Sequence, residues 1–166
     1  IKSDTPVINP STYGQSKLFA ETLISSFSNN FDAVFLRLPG ILGYGAKNSW
    51  LSKVLANAKQ NKDINIFNPE EKFNNAVSTQ CLNNFIYHLY KTEWRTPPPL
   101  PLASSGMTTI KEAVETIILA SGSKSTIFHS NGGEHSFIID YAEAAQFGFR
   151  PKNISTVLAD YAGYSL

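Results

Sequence analysis

The sequence has the length and composition of one soluble globular domain, with 166 residues of which 42% are hydrophobic and 16% charged. Its formal net charge of +1, spread over scattered residues, gives no reason to expect nucleic acid or an anionic membrane as a partner. A single cysteine, Cys81, excludes an internal disulfide and is typical of a reducing cytoplasm, so a cytoplasmic location is expected. No apolar run approaches the roughly 20 residues that span a bilayer.

The first predicted helix covers residues 10–28 and carries the most informative pair of side chains. Asn9 is a good N-cap, and Pro10 suits the first helical position. Tyr13 and Lys17 are four residues apart and therefore lie on one face of this helix. A lysine ammonium beside a phenol favours the phenolate, which a tyrosine needs if it is to act as a general acid or base. An exposed Tyr–Lys pair without a chemical role is the alternative interpretation.

The same helix is apolar over a wide arc, a pattern that predicts burial on more than one side. Its apolar residues are Leu18, Phe19, Ala20, Leu23, Ile24 and Phe27. We therefore expect this helix to lie between two packed surfaces.

A strand, a glycine-rich turn and a second helix follow, in an order that mimics a dinucleotide-binding loop. The mostly apolar residues 33–38 predict an interior strand of a parallel sheet. The turn over residues 39–45 has the spacing G-x-x-G-x-G rather than G-x-G-x-x-G, and no acidic residue ends a strand about 20 residues further on. A dinucleotide fingerprint is therefore disfavoured, and the second helix is predicted over residues 49–60.

The rest of the chain predicts short strands alternating with helices, which indicates an α/β protein. Further strands are predicted over residues 64–67, 72–77, 100–103, 126–129 and 136–139. Further helices are predicted over residues 78–90, 141–147 and 154–161, and behind the capping box formed by Thr109 and Glu112. The histidines (His88, His129 and His135) have no metal-ligand spacing with Cys81 or with a carboxylate pair, so no metal site is predicted.

Three stretches of the sequence resemble one family. Residues 10–21 read P-S-T-Y-G-Q-S-K-L-F-A-E and resemble the active-site helix of the extended short-chain dehydrogenase/reductases, within them most closely the nucleotide-sugar epimerases, dehydratases and ketoreductases. The central pattern Y-[GA]-x-[ST]-K-x-x-[AG]-E is matched at each fixed position. Residues 140–151 are similar to the family's closing motif. Residues 72–79 are similar to its segment R-D-[YF]-x-x-V-x-D, although Ser78 and Thr79 stand where acidic residues are usual.

The resemblance implies a catalytic role for Tyr13 and Lys17. Tyr13 would be the proton donor or acceptor at the sugar oxygen, and Lys17 would favour the phenolate and bind the nicotinamide ribose of NAD or NADP. Pro39 and Gly40 fall in the family's Arg-x-Pro-Gly turn, which lines the nicotinamide pocket. In the family, a Ser or Thr that binds the same sugar oxygen lies before the active-site helix, and neither Ser3 nor Thr5 is assigned that role.

The resemblance also implies residues that bind a nucleotide-diphosphate sugar. Trp50 and Lys53 open the helix near which the family admits its substrate, although Trp50 is equally suited to the core. Lys72 stands where an arginine often meets the substrate diphosphate. The expected substrate-binding residues are therefore Trp50, Lys53 and Lys72.

The resemblance covers nearly all of this chain but only the second half of the family, so we expect a C-terminal fragment that lacks the dinucleotide-binding turn. The implied fold combines part of a Rossmann-type parallel sheet with helices and a smaller α/β substrate-binding lobe. Residues 1–45 would belong to the Rossmann domain and residues 46–166 to the substrate lobe, with residues 77–104 returning to the Rossmann side.

The expected function is that of an NAD(P)-dependent epimerase, dehydratase or reductase acting on a nucleotide-diphosphate sugar, as a homodimer that meets through the Tyr–Lys helix. The isolated chain is expected to be inactive and to bind NAD or NADP with a Kd in the millimolar range or weaker, on the order of 4 kcal/mol. The alternative is a non-catalytic binding or interaction domain that retains a remnant of the fold.

Overall fold

Helices and short strands alternate along the chain. The computed structural model describes residues 1–27, 31–94, 96–130, 132–133 and 135–164. The helices are α1 (Thr12–Ser25), α2 (Trp50–Lys59), α3 (Thr79–Lys91), α4 (Ile110–Ala120), α5 (Ala142–Gln146) and α6 (Ile154–Gly163). The strands are β1 (Leu36–Arg37), β2 (Gly40–Leu42), β3 (Ile64–Phe67), β4 (Lys72–Phe73), β5 (Ala76–Ser78), β6 (Leu100–Pro101), β7 (Thr108–Thr109) and β8 (Ile127–Ser130). None of the helices in these ranges combines the length and the apolar composition needed to cross a membrane.

Most strand pairs in the described residues are parallel and join segments that are distant in sequence. β1 pairs with β6, β2 with β5 and β3 with β8, all in parallel, whereas β4 and β7 are antiparallel. The β2–β5 register places Gly40 beside Ala76 and Leu42 beside Ser78. Parallel strands need a connection of a dozen or more residues, which helices supply here. The predicted α/β class is therefore confirmed.

The buried residues form two hydrophobic clusters that meet at β5. Ala76 belongs to the first cluster, with residues of α2, β3, α4 and α6. Val77, the next residue, belongs to the second, with Phe85 of α3, Leu100 of β6 and Phe149. Successive side chains of a strand point to opposite faces, so β5 separates the two clusters.

Caps are predicted for two helices, and the structure confirms the one at α4 but not the one at α1. The predicted box at α4 is present, because the Thr109 N–H donates to Glu112 Oε2 at 2.7 Å and the Glu112 N–H donates to Thr109 Oγ1 at 3.1 Å. The prediction of Asn9 as N-cap is wrong, since Asn9 has a φ of 46°. Ser11 caps α1 instead, and its hydroxyl accepts from the Gly14 N–H at 3.2 Å. The predicted end of this helix at residue 28 lies outside the described residues.

α1 is the helix on which prediction and structure differ most. None of its residues is buried, and Phe19 is 67% exposed while Leu23 is 47% exposed. The expectation that this helix is packed on more than one side is therefore wrong for the residues that the structure describes. Neither of the two clusters includes a residue of α1, and both form among later elements.

Several predicted strands also differ from the structure. The strand predicted over residues 72–77 is divided into β4 and β5, and the one predicted over residues 100–103 is limited to β6. The strand predicted over residues 33–38 is limited to β1, which pairs with the two residues of β6. Residues 136–139 are not a strand, because their backbone is bound by other groups. The side chain of Asn74 accepts from the Ile139 N–H and donates to the Ile139 carbonyl, at 3.0 and 2.8 Å, and the amino terminus of Ile1 donates to the Ile138 carbonyl. We call residues 135–140 the strap.

Candidate functional site

A large cavity lies where the ends of several elements meet. Its volume is about 870 Å³, and it is bordered by residues 37–40, one side of α2, β3, Glu71, Phe73 and the strap. Pockets for small organic ligands are typically of this size and are mostly lined by apolar groups with a few polar ones. The cavity is therefore the candidate ligand site of this chain.

Four of the predicted binding residues are brought together on this cavity. Pro39 and Gly40 line one side of it, and Trp50 and Lys53 line another. Trp50 stands edge-on to Phe73, with ring centroids 5.4 Å apart and an angle of 83° between the planes, and it remains 39% exposed. Trp50 is therefore both packed on a core ring and open to the cavity.

Lys72 is not among the residues that line the cavity. Its neighbour in β4, Phe73, is buried and does line it. Because successive side chains of a strand alternate between its two faces, Lys72 points away from the cavity. The predicted diphosphate contact of Lys72 therefore has no support from its position, and it stays a prediction.

Tyr13 and Lys17 lie on α1, outside the lining of the cavity. Lys17 Nζ is 5.1 Å from the centroid of the Tyr13 ring, so the ammonium stands over the ring face in a cation–π contact. Both side chains are exposed, Tyr13 by 71%. The pair thus has the predicted one-turn spacing and is accessible to a ligand.

A partly buried ion pair connects this helix to the cavity wall. Glu21 lies four residues after Lys17, on the same face of α1, and its two carboxylate oxygens accept from Arg37 Nη2 at 2.8 Å and from Arg37 Nε at 3.1 Å. Arg37 lines the cavity and also donates to the Ser3 carbonyl at 3.3 Å. The Glu21 hydrogen bond raises the pKa of Arg37. Because α1 has no buried residue, we infer that the Glu21–Arg37 ion pair fixes the position of this helix relative to the cavity wall.

The Glu21–Arg37 ion pair should contribute more to the free energy of unfolding than an exposed ion pair does. Glu21→Gln should lower the free energy of unfolding by about 1.5–3 kcal/mol, the usual worth of a hydrogen bond to a charged group, and should speed hydrogen exchange in α1. The matched control is Glu115→Gln, which breaks the Lys111–Glu115 pair of α4, where the two atoms are 3.9 Å apart and both side chains are about half exposed. The free energy of unfolding of Glu115→Gln should fall by only about 0.3–0.5 kcal/mol. Equal losses for both variants in urea unfolding would contradict the anchoring role of Glu21.

A second carboxylate holds the strap against the cavity. Glu71 Oε1 is 2.5 Å from His135 Nδ1, and Glu71 Oε2 accepts from the Ser136 N–H at 2.5 Å. All three residues line the cavity. The pKa of Glu71 is lowered, chiefly by the hydrogen bond from His135 and next by that from the Ser136 N–H. Sequence reasoning missed this contact, because residues 71 and 135 carry no motif that relates them.

We expect His135→Ala to raise the pKa of Glu71 towards its ordinary value of 4.5, because the largest cause of the lowering is removed. A carboxyl whose folded pKa is depressed stabilises the fold above its unfolded pKa, and that contribution disappears as pH falls through the folded value. The parent should therefore lose more stability than the variant as pH drops below about 4.5. Carbon-detected NMR titration of the Glu71 carboxyl measures the shift. His129→Ala, an exposed histidine of β8, is the control and should leave the Glu71 titration unchanged.

The comparison with solved structures agrees with this geometry. The UDP-glucuronic acid 4-epimerase from Bacillus cereus superimposes with a TM-score of 0.81 at 17% identity, over 99% of this chain and 55% of that one. The UDP-glucose 4-epimerase from Thermotoga maritima superimposes with a TM-score of 0.80 at 15% identity, over 99% of this chain and 56% of that one. The chain has the fold of the nucleotide-sugar epimerases.

The epimerase fold extends to related enzymes. The dTDP-glucose 4,6-dehydratase from Bacillus anthracis, whose structure is a complex with NAD, gives a TM-score of 0.77 at 16% identity, over 98% of this chain and 54% of that one. The predicted Rossmann-type fold is thereby confirmed, and the chain spans a little over half the length of these structures. The sequence matches no protein-family model and no curated protein sequence.

Proposed function

We propose that this chain is part of an NAD(P)-dependent epimerase, dehydratase or reductase of the extended short-chain dehydrogenase/reductase family, acting on a nucleotide-diphosphate sugar. One observation carries the proposal: in an epimerase fold, the helix with Tyr13 and Lys17 is tied through Glu21 to Arg37 on the wall of an 870 Å³ cavity. Solved proteins of this fold include one determined with UDP-glucose and one with UDP-glucuronic acid and NAD.

In the proposed reaction, the chain's own residues orient the sugar and move a proton. Tyr13 gives a proton to the sugar oxygen or takes one from it, and the Lys17 ammonium lies 5.1 Å from the centre of its ring. Trp50 offers a partly exposed ring as a wall for a base or sugar. Lys53 supplies a cation on the same cavity for a diphosphate.

The cavity wall suits a nicotinamide ring at Pro39 and Gly40. Both residues line the cavity, and a Cβ added to Gly40 would lie 3.4 Å from the Asn75 backbone carbonyl oxygen. Pro39 and Gly40 would contact the ring, and Lys17 would bind its ribose. When bound, NAD or NADP supplies the hydride chemistry, for which the protein provides orientation.

The exposed apolar arc of α1 supports the proposal of a homodimer that meets through this helix. Apolar faces of this kind mark interaction sites. The division into a Rossmann part (residues 1–45, with 77–104) and a substrate lobe is proposed on the same resemblance.

The function is tested on the full-length gene product with NAD or NADP. UDP-glucose, UDP-glucuronic acid and dTDP-glucose are offered in turn, and products are followed by nicotinamide absorbance and by chromatography of the sugar nucleotides. Conversion of any of them supports the proposal. A protein that binds none of the three would contradict it.

The non-catalytic alternative is favoured by one observation: Tyr13 and Lys17 lie outside the cavity lining. A binding domain would bind a nucleotide sugar without converting it, and Tyr13 variants would behave like the parent. A G-x-x-G-x-x-G turn and a Ser or Thr loop encoded immediately upstream would favour the enzyme instead.

A further inference from the structure

The Arg37 guanidinium joins two segments that lie apart from the hydrophobic clusters. Its Nε and Nη2 atoms donate to the two carboxylate oxygens of Glu21 in α1, and its Nη1 atom donates to the Ser3 carbonyl at 3.3 Å. Each of the three guanidinium nitrogens is therefore bonded to a protein oxygen. Although Arg37 lines the cavity, its side chain binds the protein itself.

The backbone of Arg37 is fixed to the core. Its carbonyl accepts from the Leu102 N–H at 3.0 Å, and the preceding Phe35 carbonyl accepts from the Leu100 N–H at 2.8 Å. Leu100 and Leu102 are both fully buried. The side chain of Arg37 thus reaches from a fixed strand to a helix without buried residues.

The Ser3 end of this contact is ordered as well. The Thr5 N–H donates to the Lys2 carbonyl at 3.2 Å, and the Lys2 N–H donates to the Thr5 hydroxyl at 2.7 Å. These two bonds close a turn around Ser3, ahead of α1 in the chain. Arg37 therefore binds both α1 itself and the segment that leads into it.

The contact with Glu21 fixes the orientation of α1 as well as its distance from the wall. Two parallel bonds between a guanidinium and a carboxylate have a defined direction, which a single ammonium cannot reproduce. Glu21 lies one turn after Lys17 and two turns after Tyr13, on the same side of the helix. A change at Arg37 is therefore transmitted directly to the Tyr–Lys face.

We infer that Arg37 is a positioning residue, which through Glu21 and Ser3 holds α1 at the angle that directs Tyr13 to the ligand. This inference rests on the proposed function and deepens it. A displacement of about 1 Å at a reacting group can cost about 10²-fold in rate. Loss of the Arg37 contacts should therefore lower kcat and leave KM for the nucleotide sugar nearly unchanged.

The test measures kcat and KM of Arg37 variants of the full-length gene product, at a temperature where circular dichroism shows each variant to be folded. Arg37→Leu should lower kcat about 10- to 100-fold, with KM within about 2-fold of the parent value. Glu21→Gln is the milder variant, because it keeps one acceptor oxygen, and it should lower kcat about 3- to 10-fold. It serves in place of Arg37→Leu if that variant does not fold.

A double-mutant cycle separates positioning from a merely structural role. If Arg37 acts through Tyr13, Arg37→Leu should lower kcat by less than about 3-fold in a Tyr13→Phe background. Hydrogen exchange gives a readout that needs no turnover: α1 amides should exchange faster in Arg37→Leu, while those of α4 stay at the parent rate. Lys111→Leu, which removes an exposed ion pair of α4, should leave kcat and α1 exchange unchanged.

Each failure has its own signature. The same fold-loss of kcat with and without the Tyr13 hydroxyl, a raised KM at unchanged kcat, or unchanged exchange in α1 overturns the inference while the proposed function stands. A parent protein that converts none of the nucleotide sugars overturns the proposed function and this inference with it.

Discussion

Replacing Tyr13 by phenylalanine is expected to lower kcat by about 10²- to 10⁴-fold, the usual worth of general acid–base catalysis. The variant keeps the ring and its contact with Lys17, whose Nζ lies 5.1 Å from the ring centre, and removes only the hydroxyl. KM for the nucleotide sugar should change little, because the deleted interaction stabilises the transition state rather than the bound substrate. The measurement is steady-state kinetics of the full-length gene product with a converted nucleotide sugar.

The control for this prediction is Tyr90→Phe, which removes the hydroxyl of an 81% exposed tyrosine on α3 and should leave kcat at the parent value. Lys17→Met should also reduce kcat and should weaken cofactor binding, because the proposed contact of Lys17 with the nicotinamide ribose is lost. Turnover of Tyr13→Phe at the parent rate would show that the catalytic assignment is wrong.

The largest expected effect on stability comes from Phe85→Ala, with a loss of about 3–5 kcal/mol. Phe85 is only 2% exposed and packs on Phe149, with ring centroids 5.2 Å apart and planes inclined by 56°. Its removal opens a void in the cluster that joins α3, β6 and the segment after α5. Since the free energy of unfolding of a whole domain is roughly 5–15 kcal/mol, this variant should unfold at a much lower urea concentration than the parent.

The matched control is Tyr87→Ala, two residues further along α3 and 64% exposed. It loses a contact of its ring with Lys91 Nζ, 5.6 Å from the centroid, and should cost no more than about 0.5 kcal/mol. Urea unfolding at constant m compares the two variants. A loss below about 1 kcal/mol for Phe85→Ala would contradict the packing described for the second cluster.

Glu21 and Glu71 have the same structural role at the cavity, and Arg37 is the partner of Glu21. Each carboxylate binds a segment that carries little buried surface of its own: Glu21 binds α1 to the cavity wall, and Glu71 binds the strap. Ion pairs and hydrogen bonds of this kind fix direction, whereas apolar contact is non-directional. We therefore expect substitution of Glu21 or Glu71 to change the shape of the cavity more than its volume.

Much of the fold could be predicted from the sequence because helix starts and apolar periodicity are local properties. The capping box of Thr109 and Glu112 involves residues three apart and is present as predicted. The predicted helix over residues 49–60 became α2, for which Ser49 is the N-cap. The one-turn spacing of Tyr13 and Lys17 is likewise a property of any helix.

Tertiary structure alone decided which of these residues share a site. The sequence by itself determined the α/β class, the capping box of α4 and the Tyr–Lys face. The cavity depends on pairs such as Glu71 with His135 and Asn74 with Ile139, which are 64 and 65 residues apart. Such contacts form only after the intervening chain has folded, and no short motif encodes them. The same reason explains the strap, whose apolar sequence is typical of a strand but whose backbone is bound by Asn74 and Ile1 instead of a neighbouring strand.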